Sequence, residues 1–134
     1  MKTFHYQVLR YQPDKMGEEF INLGVVVFDT DTCKHLFKYQ ESNKRLSAFF
    51  PAGNNAYIVG LVRSLTVRSS LNDNQHGPKG LGELTSGLLP SVDSALYFTE
   101  VRSGLDTDLE TALDSLYERM VTRYEHATDH RITV

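Results

Sequence analysis

The chain has 134 residues, of which 40% are hydrophobic and 23% are charged, as in an ordinary globular domain. Its net charge of -3 gives no strong attraction for polyanions, and its single cysteine, Cys33, excludes an intramolecular disulfide. Residues 1–14 lack the apolar core of a signal peptide, and no apolar run reaches the roughly 20 residues of a membrane helix. We therefore expect one domain over residues 1–134, without a membrane anchor and located in the cytoplasm.

The first predicted strand covers Phe4 to Tyr11, where side chains alternate between two faces. Arg10 is the charged member of a mostly apolar face. It either extends its head group to solvent from an edge of the sheet or belongs to a functional site. Pro13 has no backbone N–H to donate and should end this strand.

The longest apolar run lies in the segment Glu18–Phe28, and its β-branched valines favour a strand. Because both faces are largely apolar, we expect a central strand covered on both sides. Strict alternation places Asn22 and Gly24 on one face, behind an entrance formed by Glu18 and Glu19. This pattern indicates either a capping turn with a structural glycine at Gly24 or a small polar site built from Glu18, Glu19 and Asn22.

The turn formers at positions 29–32 lead into a third predicted strand, Cys33–Tyr39. Short connections on both sides predict an antiparallel meander of the first three strands. Cys33 and His35 would share a face of this strand. A Cys/His nucleophile pair requires hydrogen-bond reach, which side chains two apart on a strand seldom have.

Two helices are predicted next, one beginning at Ser42 and ending near Phe50, the other covering about 56–71 with Asn54 or Asn55 as its cap. Residues 72–90 form a predicted polar loop that contains several glycines. The glycine spacing matches no phosphate-binding pattern. A loop of this length is either functional or mobile, and the sequence leaves its role open.

A fourth strand is predicted at Ala95–Arg102, followed by a helix with a capping box of Thr107 and Glu110 and an apolar stripe that reaches Met120. Residues 125–134 are polar, and we expect them to fray. The predicted fold class is α+β, with a mainly antiparallel sheet of about four strands, packed helices and the order β-β-β-α-α-β-α. No motif indicates a cofactor or a metal site.

Three features carry a resemblance to a known family: Arg10-Tyr11 followed by Pro13, the segment EEFINLGV at 18–25, and the late strand YFTEVRS at 97–103 before an acidic helix start. Over roughly residues 3–123 the chain resembles the bacterial family catalogued as domain of unknown function 3037. Members tend to carry a proline where Val101 stands here. The resemblance implies a small cytoplasmic bacterial protein, often encoded beside a kinase of the HipA-like type, and it supplies no catalytic residues.

The first functional hypothesis is a non-enzymatic accessory or interaction module that acts with a protein partner, for which a HipA-like kinase is the candidate. The alternative is an enzyme, such as a small hydrolase or a metal-dependent nuclease. In that alternative Arg10, Glu19 and Asn22 line a cleft, and Arg102 of the fourth strand is a candidate for a fourth member.

A third hypothesis is a nucleic-acid-binding module. Its basic residues would be Lys34, Lys38, Arg63 and Arg68. The net charge does not support this hypothesis. The sequence leaves open whether the chain is an enzyme, which ligand it binds and how it associates.

Overall fold

A computed structural model describes residues 1–13, 16, 19–40, 44–49, 55–72, 80–86, 88 and 95–122. In these residues an antiparallel sheet is combined with helices, which confirms the predicted α+β class. The elements are β1 (Lys2–Tyr11), β2 (Ile21–Asp29), β3 (His35–Tyr39), α1 (Lys44–Phe49), α2 (Asn55–Asn72), α3 (Leu81–Ser86), β4 (Leu96–Phe98), β5 (Arg102–Asp106), α4 (Leu109–Tyr117) and a π-helical turn (Glu118–Thr122).

The sheet is antiparallel, with the order β3-β2-β1, and β4 and β5 pair with successive parts of the remaining edge of β1. The predicted meander of the first three strands is therefore confirmed. Because β1 has neighbours on both sides, the interpretation of Arg10 as a residue of an edge strand is wrong.

Both faces of the sheet are covered, as the apolar pattern of β2 predicted. On one face Leu9, Ile21 and Leu23 pack against α1 and α2. Farther along the same face, Val26 and Phe28 pack against α3. The opposite face carries α4 and the π-helical turn, whose apolar stripe packs on residues of β1 and β2 that include Phe4, Val25 and Val27.

A β-bulge interrupts the pairing of β1 with β2. Leu9 lies opposite Gly24, whereas Arg10 lies opposite Asn22, so Leu23 is the extra residue on β2. Asn22 consequently lies on the face covered by α4, where its side chain reaches the π-helical turn. The prediction that Asn22 shares a face with Gly24 is wrong, because strict alternation fails at a bulge.

The turn between β2 and β3 is longer than predicted. The third strand begins at His35, and Cys33 adopts a left-handed backbone conformation with φ of 59° in the turn. The Cys33 amide donates to the Asp29 carbonyl at 2.8 Å and closes this turn. Because Cys33 precedes the strand, the expected shared strand face of Cys33 and His35 is absent.

The predicted fourth strand is divided into two. Phe98 pairs with Leu9 and Arg102 pairs with Tyr6, so three residues of the late segment oppose two residues of β1. This second bulge contains Val101, the position at which the resemblance suggested a departure in the local turn.

Two further boundaries differ from the predictions. The expected loop 72–90 contains α3, and the N-cap of α4 is Asp108, whose side chain accepts from the Thr111 amide, rather than Thr107. Several predicted features lie outside the described residues. They are the Ser42 and Asn54 caps, residues 73–79 and the tail 125–134. No helix in the described ranges is both long enough and apolar enough to cross a membrane.

Candidate functional site

The candidate site lies where β1 ends and β2 begins. Arg10 Nε donates to Asn22 Oδ1 at 2.9 Å across the paired strands. The guanidinium carbon of Arg10 also lies 4.1 Å from the centroid of the Phe20 ring, which is the geometry of a cation–π contact. An amide and an aromatic ring therefore hold the arginine head group from two sides.

Asn22 links this arginine to the helical layer. Its Nδ2 donates to the carbonyl oxygen of Met120 at 2.9 Å, so the same amide accepts from Arg10 and donates to the π-helical turn. The bulge at Leu23 makes both bonds possible, because it turns Asn22 toward this face. π-helical turns are frequent at functional sites, and here the turn, which ends at Thr122, is the last described element of the chain.

The open side of the site is charged and aromatic. The terminal amino groups of Arg10 make no hydrogen bond to any residue that the structure describes, and 45% of the Phe20 surface is exposed. Glu19 is exposed beside them. A guanidinium fork with free N–H groups matches the geometry of a carboxylate or a phosphate. The arrangement is suited to binding an anionic group beside an apolar one.

The structure brings together some of the predicted site residues and separates others. Arg10 and Asn22 are in contact, Glu19 stands at the entrance, and Glu18 lies outside the described residues. Arg102 does not join them. It lies opposite Tyr6, four positions along β1 from Arg10, a separation of about 13 Å at the rise of an extended strand.

Arg102 instead contacts its own segment, with Nη2 3.4 Å from Glu100 Oε1. The possible contribution of Arg102 to the cleft of the enzyme hypothesis is therefore wrong, while Arg10, Glu19 and Asn22 stay a candidate site. Among the described residues, no group of three His, Cys, Asp or Glu side chains is placed to hold a metal ion.

Sequence reasoning missed the roles of Phe20 and Met120. Phe20 directly precedes β2, which begins at Ile21, and its ring lies partly exposed at the surface. The available signal was Arg10 itself, because a charged group among apolar neighbours requires partners from an adjacent segment.

A second polar cluster lies at the other end of β1. Lys2 Nζ is 2.8 Å from Asp29 Oδ2, and Asp29 Oδ1 accepts from the Asp31 amide at 2.9 Å. The hydrogen bond from Lys2, followed by that from the Asp31 amide, lowers the pKa of Asp29 to about 2. The same bond raises the pKa of Lys2. A cleft of about 490 Å³ lies beside this pair, between the β2–β3 turn and the start of α4.

A buried polar chain closes the second bulge. Thr85 Oγ1 donates to Gln7 Oε1 at 2.6 Å, and Gln7 Nε2 donates to the Thr99 carbonyl at 2.7 Å. Thr99 Oγ1 in turn accepts from the Val8 amide at 2.9 Å. Gln7 and Thr85 are buried, and each has a partner, so the chain joins α3 to the sheet and serves the fold.

The basic residues proposed for nucleic-acid binding do not form one surface. Lys38 faces α4, with Nζ 3.3 Å from Asp114 Oδ1 and 4.9 Å from the Tyr117 ring centroid. Arg63 belongs to α2, which packs on the opposite face of the sheet. The side chain of Arg68 lies outside the described residues.

Comparison with known proteins gives one match. A family model described as "Protein of unknown function (DUF3037)" matches residues 6–121, most of the chain. No curated protein and no solved structure matches.

Proposed function

The chain belongs to the DUF3037 family, and on that premise we propose that it is a non-enzymatic interaction module of the bacterial cytoplasm. Its docking surface is the Arg10–Phe20 pair, with Glu19 at the margin. The observation that carries the proposal is the stacking of a half-buried guanidinium on an exposed aromatic ring, 4.1 Å from its centroid.

The composition of this surface supports a protein partner. Arginine and aromatic residues are enriched in protein–protein interfaces, and a few such residues supply most of the binding energy. Phe20 offers apolar area to bury, and Arg10 offers N–H donors that the described residues leave open. A partner with an acidic side chain beside an apolar one would satisfy both.

The surface is also organised before binding. Asn22 and the Phe20 ring restrict the Arg10 side chain, which would otherwise lose rotamer freedom when a partner binds. Immobilising such a side chain costs about 0.5–1.5 kcal/mol, so its restriction in the free protein favours affinity. The partner that we propose to test first is a HipA-like kinase, which the family resemblance suggests.

The test compares tagged wild-type protein with Arg10→Ala and Phe20→Ala in pull-downs from the native host, followed by titration calorimetry with the purified partner. Arg63→Ala is the matched control, because Arg63 is an exposed arginine on the opposite side of the sheet. We expect each site variant to weaken binding at least about tenfold, the effect of losing roughly 1.4 kcal/mol, and the control to bind like wild type.

Circular dichroism and thermal melts must first show that every variant folds. A partner that binds the two site variants as tightly as wild type would contradict the proposed docking surface. Turnover of a substrate by wild type and its loss in Arg10→Ala would contradict the non-enzymatic role.

A further inference from the structure

The outer edge of β5 is open in the described part of the chain. β5 pairs with β1 on one side, and no described strand pairs with its other side. α4 begins three residues after β5 and contacts it, but α4 packs mainly over β2 and β3, on the inner side of β5. An edge strand of this kind presents unpaired N–H and C=O groups to another strand.

The sequence of β5 is self-complementary when it is read in the antiparallel direction. Its five residues are Arg-Ser-Gly-Leu-Asp, from Arg102 to Asp106. If two copies pair antiparallel about Gly104, Arg102 of each copy lies opposite Asp106 of the other. Two cross-strand pairs of opposite charge result, and such pairs stabilise antiparallel strands.

The centre of this pairing suits a close approach. Gly104 has no side chain, and the Phe4 ring lies over it, since an added Cβ would be 2.5 Å from Phe4 Cζ. The alternation of the strand places Arg102, Gly104 and Asp106 on the same face as Phe4. Phe4 is buried and fills the space over Gly104 within its own chain, so the charged pairs flank a position where β5 carries no side chain.

The other face of β5 provides apolar contact. Leu105 is 64% exposed and lies opposite Thr3 of β1. In the antiparallel pairing about Gly104, the two Leu105 residues are diagonal neighbours, separated by about 7–8 Å. That separation is within reach of long side chains, so association would cover a leucine that the single chain leaves in water.

We propose that two copies of this chain associate through β5 and form one antiparallel sheet across a two-fold axis at Gly104. The interface is isologous, because each copy contributes the same strand. A five-residue strand buries less than a standard interface of about 1,600 Å², and we expect a weak dimer with a Kd of about 10 µM. This dimer leaves the Arg10–Phe20 pair free, because that pair lies at the other end of β1.

The test is sedimentation equilibrium of the full chain over concentrations from about 1 µM to about 1 mM, which bracket the expected Kd. Arg102→Asp opposes Asp106 of the other copy with a like charge, and we expect dimerisation to weaken at least about tenfold. The double variant Arg102→Asp/Asp106→Arg restores opposite charges and should recover the dimer. Arg119→Asp, at an exposed arginine of the π-helical turn, is the matched control for the charge change.

Asp106 also accepts from the Thr107 amide, so the double variant could disturb the start of α4. Leu105→Lys tests the same interface without that contact, and it should also weaken association. A monomer at every concentration would overturn the proposal, as would a dimer that is equally strong in Arg102→Asp and Leu105→Lys. Protection of the β5 amides from exchange only in the presence of a different protein would also overturn it.

Discussion

The two ends of β1 meet β2 through polar pairs that are built differently. At one end Lys2 contacts Asp29, and at the other Arg10 contacts Asn22, about 27 Å away at the rise of an extended strand. The Asp29 side chain is 5% exposed and accepts from Lys2 and from backbone amides of the following turn. Its hydrogen-bonding capacity is largely used within the fold.

The Arg10–Asn22 pair differs, because part of the hydrogen-bonding capacity of Arg10 is not used by the described residues. Among the described residues Arg10 donates one hydrogen bond, to Asn22, and its terminal amino groups donate to none of them, while the Phe20 ring is partly exposed. The comparison suggests a general rule for a charged residue within a sheet. Where neighbouring groups satisfy all of its hydrogen bonds, the residue stabilises the fold. Where they fix its position but leave donors unsatisfied, the residue can also bind another molecule.

The two ends also differ in how their partners are placed. The Asp29 end depends on local turn chemistry, since residues 31 and 32 follow in sequence and donate to its side chain. The Arg10 end depends on a bulge and on a helical turn almost a hundred residues away, through the bond from Asn22 to Met120. The second arrangement is therefore the easier one to break at a distance.

The largest effect is expected from Gly24→Val, a substitution in β2 directly after the bulge residue. An added Cβ at Gly24 would lie 2.8 Å from the Lys38 carbonyl oxygen and 3.1 Å from Tyr39 Cβ. The carbonyl cannot retreat without opening the β2–β3 ladder. We expect the free energy of unfolding to fall by about 3 kcal/mol, measured by urea denaturation.

Glu19→Ala is the control for this variant, because Glu19 is exposed. Its free energy of unfolding should stay within about 0.5 kcal/mol of wild type. Equal destabilisation by the two substitutions would contradict a close approach of backbone at Gly24.

An intermediate effect is expected from Asn22→Leu. The substitution removes the acceptor of Arg10 and the donor to the Met120 carbonyl. We expect a loss of about 2 kcal/mol, since two part-buried groups lose their partner. The affinity for the partner should fall as well, because Arg10 is no longer oriented. If Asn22→Leu unfolds with the same midpoint urea concentration as wild type, the two hydrogen bonds do not stabilise the fold.

The smallest effect is expected from Asp29→Asn, which keeps an acceptor for the turn amides and removes the charge. The folded-state pKa of Asp29 is lowered to about 2 from 3.8. Its carboxylate therefore stabilises the fold at pH values above the pKa of the unfolded state. That stabilisation is lost as the pH falls through about 2. Wild type should therefore melt above the variant at pH 7, and the difference should shrink between about pH 4 and about pH 2.

Thermal melts of the two proteins across this range would check the prediction. A difference in Tm that stays constant from neutral to acidic pH would show that the charge on Asp29 makes no contribution. The described hydrogen-bond partner of Arg10 is the Asn22 amide, which does not titrate, so Arg10→Ala should leave the acid dependence of wild type unchanged.

Much of the fold could be predicted from the sequence because it depends on local patterns. The alternation in β1, the valines of β2 and the apolar stripe of α4 each indicate an element and the face that it buries. The predictions of strand faces and strand bounds were wrong where the alternation of side chains shifts by one residue. Leu23 and Thr99–Val101 belong to bulges, and an extra residue in one strand leaves no signature when that strand is read alone.

The sequence by itself determined which residues are available for a site: an arginine on an apolar strand face, and an asparagine in a buried strand. Only the tertiary structure decided that Arg10 meets Asn22 and Phe20 while Arg102 lies elsewhere. The physical reason is that side-chain alternation follows from backbone geometry within one strand. The partner across a strand pair depends on register, which bulges and packing with distant elements set.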